Sequence, residues 1–276
     1  MCFLLQGHAG SWCKGYPEVC PSATCTQPLN PASNATWALI EDLLAECTGN
    51  APLGGLFPES MIHLGGDEVD TSCWTEVPAI MDWLEHKGLS PDAGYGYFVN
   101  RTAHIAAAQG RRPVQWNEVW DHFGTRLPKE AIIHAWNDRS AVAEATDAGY
   151  YALNSQGWYF DNMAATWEEM YVNDPTQGVK SAASQARVLG GQGEMWGETV
   201  DASDFEQTIV SSQPICRCLR LKGLILTGCL PVMSSGRGWQ QWRSSSGRRS
   251  RSRIVRRITR CQAARTASRW TRHSRD

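Results

Sequence analysis

Over most of the first two hundred residues, apolar positions recur at helical spacing, then in short unbroken runs, then at helical spacing again. Residues 17–31 are rich in Pro, Ser, Thr and Cys and read as a loop, after which Trp37, Ile40, Leu44 and Cys47 fall on one helical face. Residues 61–64 are short, apolar and ended by Gly65-Gly66, the form of a buried strand entering a loop. Val77, Ile80, Met81 and Leu84 line a second helix, and Phe98, Thr102 and Ile105 a third. Residues 113–116 and 131–136 are further apolar runs; 140–148 read as a helix closed by Gly149, 150–153 as a strand and 187–191 as one more. Five strands alternating with helices predict an α/β fold with a parallel sheet, open or closed.

At 276 residues and 42% hydrophobic content the chain has the material for one large domain, since single α/β barrels occupy about 250 residues. A net charge of −2 hides two opposite parts. Ten of the 26 basic residues but 27 of the 28 acidic ones lie in residues 1–210, so the body is strongly acidic and the remainder strongly basic. An acidic body suits work at neutral or acid pH, where carboxylates are partly protonated and repel less. From residue 210 on, Arg, Ser and Trp dominate, as in Arg248-Arg249-Ser250-Arg251-Ser252-Arg253, and apolar periodicity is lost. An Arg-rich arm with Trp239, Trp242 and Trp270 has the chemistry to grip phosphates. The preferred reading is plainer: residues 1–209 form the enzyme-like domain, and 210–276 are an irregular tail, disordered or mistranslated, with no nucleic-acid partner expected.

Ten cysteines and two Asn-X-Thr sequons, at Asn34 and Asn100, fit a secretory-route protein better than a cytosolic one. Secreted, vacuolar or lysosomal placement is the expectation. Met1 to Leu5 are too short an apolar run for a signal peptide, so a targeting signal is expected to lie outside this sequence. No Cys pair has a convincing zinc spacing, and no metal site is expected.

The residues with the most chemistry are His63-Leu64-Gly65-Gly66-Asp67-Glu68-Val69, adjacent carboxylates behind two glycines at the carboxyl end of a strand. That end of an α/β barrel carries catalysis, and glycines permit close backbone approach and unusual dihedrals. Adjacent acids project differently and can take separate roles. Standing alone, an Asp-Glu pair is more often a solvated turn. The surrounding residues change that weighting: residues 63–70 resemble the His-x-Gly-Gly-Asp-Glu-Val signature of family 20 β-N-acetylhexosaminidases, and Cys73-Trp74 continues it. Further similarities follow at Gly7-His8-Ala9 with Ser11-Trp12, at Val114-Gln115-Trp116-Asn117-Glu118, at Trp158-Tyr159 and at Met195-Trp196-Gly197-Glu198, together spanning residues ~6 to 209. Gln6 and Cys13 depart from the family's usual Pro and Gly.

The resemblance implies the later strands of a (β/α)8 TIM-type barrel, without counterparts of the family's early strands or its substrate-binding Arg. It also implies a reaction. Glycoside hydrolysis needs protonation of a leaving oxygen and stabilisation of an oxocarbenium-like centre; in this family the substrate's own 2-acetamido oxygen is the nucleophile. Glu68 would be the general acid/base, Asp67 would hold the acetamido N–H, and Tyr159 would donate to its carbonyl oxygen. Trp116, Trp136 and Trp196 would wall the sugar subsite, although any single Trp is more often core. Glu198 would accept bonds from sugar hydroxyls, and His8 and His63 would hydrogen-bond the carboxylates. Cys25 and Cys73 match the family's disulfide beside the acid pair. No cofactor is implied. The partners are N-acetylhexosamine-terminated glycans or chitooligosaccharides, and the complete family enzyme is a candidate homodimer.

Glu118, two residues after Trp116, lies on the same side if the strand continues; it receives no role. Two other readings stay open: an inactive, truncated carbohydrate-binding relative, which the intact acid pair argues against, and an Arg-rich interaction protein. A chitinase-like enzyme is disfavoured because no spaced run of acids occurs on one strand.

Overall fold

The computed structural model describes residues 8–49, 56–161, 166–197, 199–201 and 203. The tail 210–276, its boundary at 209/210 and Glu198 lie outside the described residues.

Among the described residues five strands form one sheet: β1 (Met61–His63), β2 (Arg112–Trp116), β3 (Ile132–Ala135), β4 (Tyr151–Asn154) and β5 (Val188–Gly191). Every neighbouring pair is parallel, and spatial order equals chain order. Doubly wound sheets reverse their order at a switch point; a sheet that always steps to the next neighbour is wound as a barrel. The described strands are singly wound in this way, the arrangement of consecutive strands in a TIM-type barrel. All four residues of β3 are buried, which is why it reads as an unbroken apolar run rather than an alternating one.

The helices cover this sheet. In α1 (Asn34–Thr48) Trp37, Ile40, Leu44 and Cys47 are buried, the Trp37 indole N–H donates to the Pro31 carbonyl at 2.9 Å, and left-handed Gly49 ends the helix. α2 (Pro78–His86) buries Ile80 and Leu84. α3 (Pro91–Ala108) begins with Pro at its first position, and the Ser90 hydroxyl accepts from the Ala93 amide. Phe98 and Thr102 are buried there, while Ile105 is only partly so. α5 (Ser140–Asp147) follows β3, and two short helices, α6 (Trp167–Val172) and α7 (Ala182–Gln185), precede β5. Among the described residues no helix is long and apolar enough to cross a membrane.

One expectation is corrected. The chain does not run on as a strand past Trp116; helix α4 (Asn117–Phe123) starts at once. The cause is Asn117, whose fully buried amide accepts from the Trp136 backbone N–H at 3.1 Å and donates to Asn137 at 2.7 Å and Asp121 at 2.9 Å. Those bonds turn the backbone away from the ladder and tie the end of β2 to the end of β3.

Among the described residues, two pairs of cysteines are joined near the entry to the sheet. Cys25–Cys73, with Cα atoms 5.7 Å apart, joins the loop before α1 to the 3-10 turn after the acid pair. Cys13–Cys20, 5.8 Å between Cα atoms, closes a small loop nearer the start. Beside the first, Trp74 is fully buried and donates its indole N–H to Pro28.

Candidate active site

Each of the five strands delivers, at or just beyond its carboxyl end, a side chain to one cavity of about 440 Å³. Asp67 and Glu68 follow β1, Trp116 ends β2, Trp136 follows β3, Tyr159 and Asp161 follow β4, and Trp196 follows β5; His8 completes the lining. That is where a barrel gathers reactive groups, because the loops there can vary while the strands stay fixed.

The acid pair owes its position to the glycines before it. Trp116 N–H donates to Gly65 O at 3.0 Å, continuing the ladder one step past β1. At Gly66 the backbone turns with φ +98°, and a Cβ there would stand 2.3 Å from a methyl of Val119, so any side chain forces the loop off its support. The buried Tyr95 hydroxyl donates to Gly66 O at 2.7 Å; burial, then the surrounding carboxylates, keep that phenol protonated well above its usual range. Glu68 itself has φ +51°, a left-handed conformation uncommon for a side-chain-bearing residue. His8 Nε2 lies 3.0 Å from Asp67 Oδ2 and 3.4 Å from Glu68 Oε2, so one imidazole bridges the two carboxylates.

Aromatic rings face the acids. Trp136 and Tyr159 have centroids 6.1 Å apart, and Trp196 hydrogen-bonds the Tyr159 hydroxyl. Burial raises Tyr159 well above the ordinary phenol value, so it stays an O–H donor at every working pH.

His63 does not line the cavity, contrary to its expected place beside the carboxylates. It ends β1 and keeps to the barrel interior, packed 4.4 Å from the Trp116 ring, whereas the glycine turn lifts Asp67 and Glu68 to the mouth. Beneath the cavity a buried chain of hydrogen bonds begins with it. Gly65 N–H donates to His63 Nδ1 at 3.0 Å, which leaves the His63 proton on Nε2, 3.2 Å from His134 Nδ1. The His134 proton then sits on Nε2 and reaches Ser155 Oγ at 2.5 Å, and Ser155 donates to Glu194 Oε1 at 3.0 Å. Gln192 donates to the same oxygen at 2.7 Å. Burial holds both imidazoles well below their usual value and pushes Glu194 up to about 7.

Sequence reasoning did not find Asp161, His134, Ser155, Gln192 or Glu194, and gave Glu118 no role. Asp161 stands two residues after Tyr159, and His134 is a polar residue inside an apolar run, two signals present in the sequence. Ser155 and Glu194 carry none, since their pairing depends on Gly191, where a Cβ would lie 2.0 Å from the Trp158 ring and prevent the approach of β5's end to the 158–160 segment. Among the described residues no group of three or more His, Cys, Asp or Glu is placed to hold a metal ion.

Paired carboxylates at the mouth of a parallel barrel, one bridged by histidine to the other and faced by three indoles, define a glycoside-hydrolase class of site. Residues 5–211 match the profile described as glycosyl hydrolase family 20, catalytic domain, and the chain belongs to that family. It is 38% identical over 207 residues to beta-hexosaminidase 3 of Arabidopsis thaliana, a match covering 74% of this chain and 38% of that protein. It is 32% identical over 221 residues to beta-hexosaminidase subunit alpha of Bos taurus, covering 74% and 40%. The fold is similar to the X-ray structure of Flavobacterium johnsoniae chitobiase, with TM-score 0.66, 26% identity, and coverage of 82% of this chain and 35% of that one. The chain thus spans about two fifths of the length of the curated relatives it matches.

Proposed function

We propose that this chain carries the active site of a β-N-acetylhexosaminidase, which releases terminal N-acetylglucosamine or N-acetylgalactosamine from glycans or chitooligosaccharides by substrate-assisted hydrolysis with retention. The observation that carries this reading is the meeting of Asp67, Glu68 and Tyr159 in one Trp-walled cavity. The names of its relatives, beta-hexosaminidases and a chitobiase, point the same way.

In this mechanism the indoles of Trp116, Trp136 and Trp196 hold the sugar and enclose its acetamido methyl. Asp67 accepts the acetamido N–H and Tyr159 donates to the acetamido oxygen, which places that oxygen behind the anomeric carbon. The oxygen bonds to the carbon as the glycosidic bond breaks, and Glu68 delivers its proton to the departing oxygen. Asp67 offsets the positive charge of the resulting oxazolinium. Water then attacks the same carbon, Glu68 takes its proton, and the acetamido group leaves, so two inversions give retention. His8 steadies both carboxylates. Glu198 is assigned to the sugar hydroxyls by family likeness alone. Bonded cysteines and the two sequons support placement in a secreted, vacuolar or lysosomal compartment.

The test is hydrolysis by the 276-residue chain of an aryl N-acetyl-β-glucosaminide beside the aryl β-glucoside that carries a 2-hydroxyl. Turnover of the first and not the second is expected. Equal rates would remove the acetamido group from the mechanism, and binding without turnover would leave a carbohydrate-binding protein.

A further inference from the structure

Glu118 does not line the cavity, yet its two carboxylate oxygens reach two different parts of the site. Oε1 accepts from the backbone N–H of Glu68 at 3.3 Å, and Oε2 accepts from the indole N–H of Trp136 at 2.7 Å. It stands in the first turn of α4, directly after Asn117, whose side chain accepts the backbone N–H of that same Trp136 at 3.1 Å. Two successive residues of one helical turn therefore fix Trp136 by its backbone and by its ring.

The bond to Glu68 matters because of that residue's backbone. Among the described residues Glu68 is the one non-glycine residue at positive φ. Left-handed backbone is costly for an L-residue, so it persists only where surrounding contacts impose it. The Glu68 amide, exposed as that residue is, has Glu118 Oε1 as its acceptor. Glu118 supplies both the acceptor and the constraint.

We infer that Glu118 is a positioning residue for the reaction, a single carboxylate that sets the angle of Glu68 and the tilt of Trp136 together. The inference rests on the reading of Glu68 as the general acid/base. Both donors are N–H groups, so the site needs two acceptor oxygens, which an ionised carboxylate provides and a carboxamide does not. Burial, with Asp67 acting in the same direction, pushes the Glu118 carboxyl up, and the two N–H bonds pull against that.

The experiment compares the 276-residue chain with Glu118→Gln, Glu118→Asp and Glu118→Ala, using an activated aryl N-acetyl-β-glucosaminide and an N-acetylglucosamine disaccharide with a poor leaving group. A residue acting through the acid should lower kcat/KM by about 10²-fold on the disaccharide, the scale of a misplacement of about 1 Å, and by clearly less on the aryl substrate. Glu118→Asp should recover part of the loss, and Glu118→Gln, which sets an amide donor against one N–H, should recover little. In parallel, the Trp136 indole N–H resonance, assigned with Trp136→Phe, should move upfield and exchange faster in Glu118→Ala. Equal losses on the two substrates, or an unmoved indole resonance in a folded variant, overturn the inference while leaving the proposed function standing. A wild-type chain with no turnover overturns the proposed function and this role with it.

Discussion

The Ser155 hydroxyl lies 3.0 Å from Glu194 Oε1, with both residues buried, and through that contact a carboxylate after β5 is joined to the glycine turn after β1. The link runs by way of His134 and His63 and fixes the proton position on each imidazole. It also places three titratable groups where water does not reach, so the stability of this protein depends on pH in a way that can be assigned to residues.

Glu194 gives the first prediction. Its folded value of about 7 exceeds its ordinary 4.5, because burial disfavours the charge. Between those values the unfolded chain releases a proton that the folded one keeps, so this group stabilises less as pH rises from about 4.5 to 7. The shift corresponds to roughly 3 kcal/mol at one pKa unit per 1.36 kcal/mol. Glu194→Gln, which imitates the protonated form, should match wild type in denaturant unfolding near pH 4.5 and exceed it increasingly up to pH 7.5. Parallel stability curves would show that Glu194 does not titrate in this window.

His63 and His134 act with the opposite sign. Burial holds both folded values far below 6.5. Below pH 6.5 unfolded imidazoles bind protons that the folded ones refuse, so each removes about 1.4 kcal/mol of stability per pH unit as the solution is acidified. At pH 5.5 unfolding should thus take up two protons through the imidazoles and release one through Glu194. Calorimetry in buffers of different ionisation enthalpy should find proton uptake on unfolding larger by one in Glu194→Gln than in wild type; no difference would contradict the sign given to Glu194.

Separate roles for the adjacent acids predict separate kinetics. Glu68→Gln removes the transferable proton, so turnover of a poor leaving group should fall by roughly 10²–10⁴-fold. With an activated aryl glycoside the deficit should shrink wherever leaving-group departure limits the rate. Asp67→Asn weakens the hold on the acetamido group and should impair both substrates. Normal activity of Glu68→Gln on the disaccharide would refute the assignment.

Cys25–Cys73 closes a loop of sequence separation 48 beside the acids. The chain-entropy relation gives roughly 4 kcal/mol for such a cross-link. Cys25→Ala/Cys73→Ala should lower the unfolding midpoint accordingly and weaken inhibitor binding in the cavity, since the turn after Glu68 loses its anchor. Unchanged stability would mean that the loop is held by Trp74 and its neighbours alone.

The sequence by itself determined the elements and most of the cavity. Short apolar runs mark buried parallel strands, helical spacing marks the covering layer, and Asp67-Glu68 behind Gly65-Gly66 marks a turn that needs glycine. Those signals are local, carried by residues within a few positions of one another; the other cavity residues, His8, Trp116, Trp136, Tyr159 and Trp196, were implied by the family motifs. The barrel was implied by the family signature; tertiary structure alone decided that the backbone becomes helical at Asn117 once its side chain binds across to Trp136, and that His63 stays inside while its neighbours reach the mouth. It alone brought Glu118 under Glu68 and Glu194 to Ser155. Those contacts join residues 50 and 39 positions apart, and their energies come from burial and directional hydrogen bonds between elements, which leave no periodic trace in the chain.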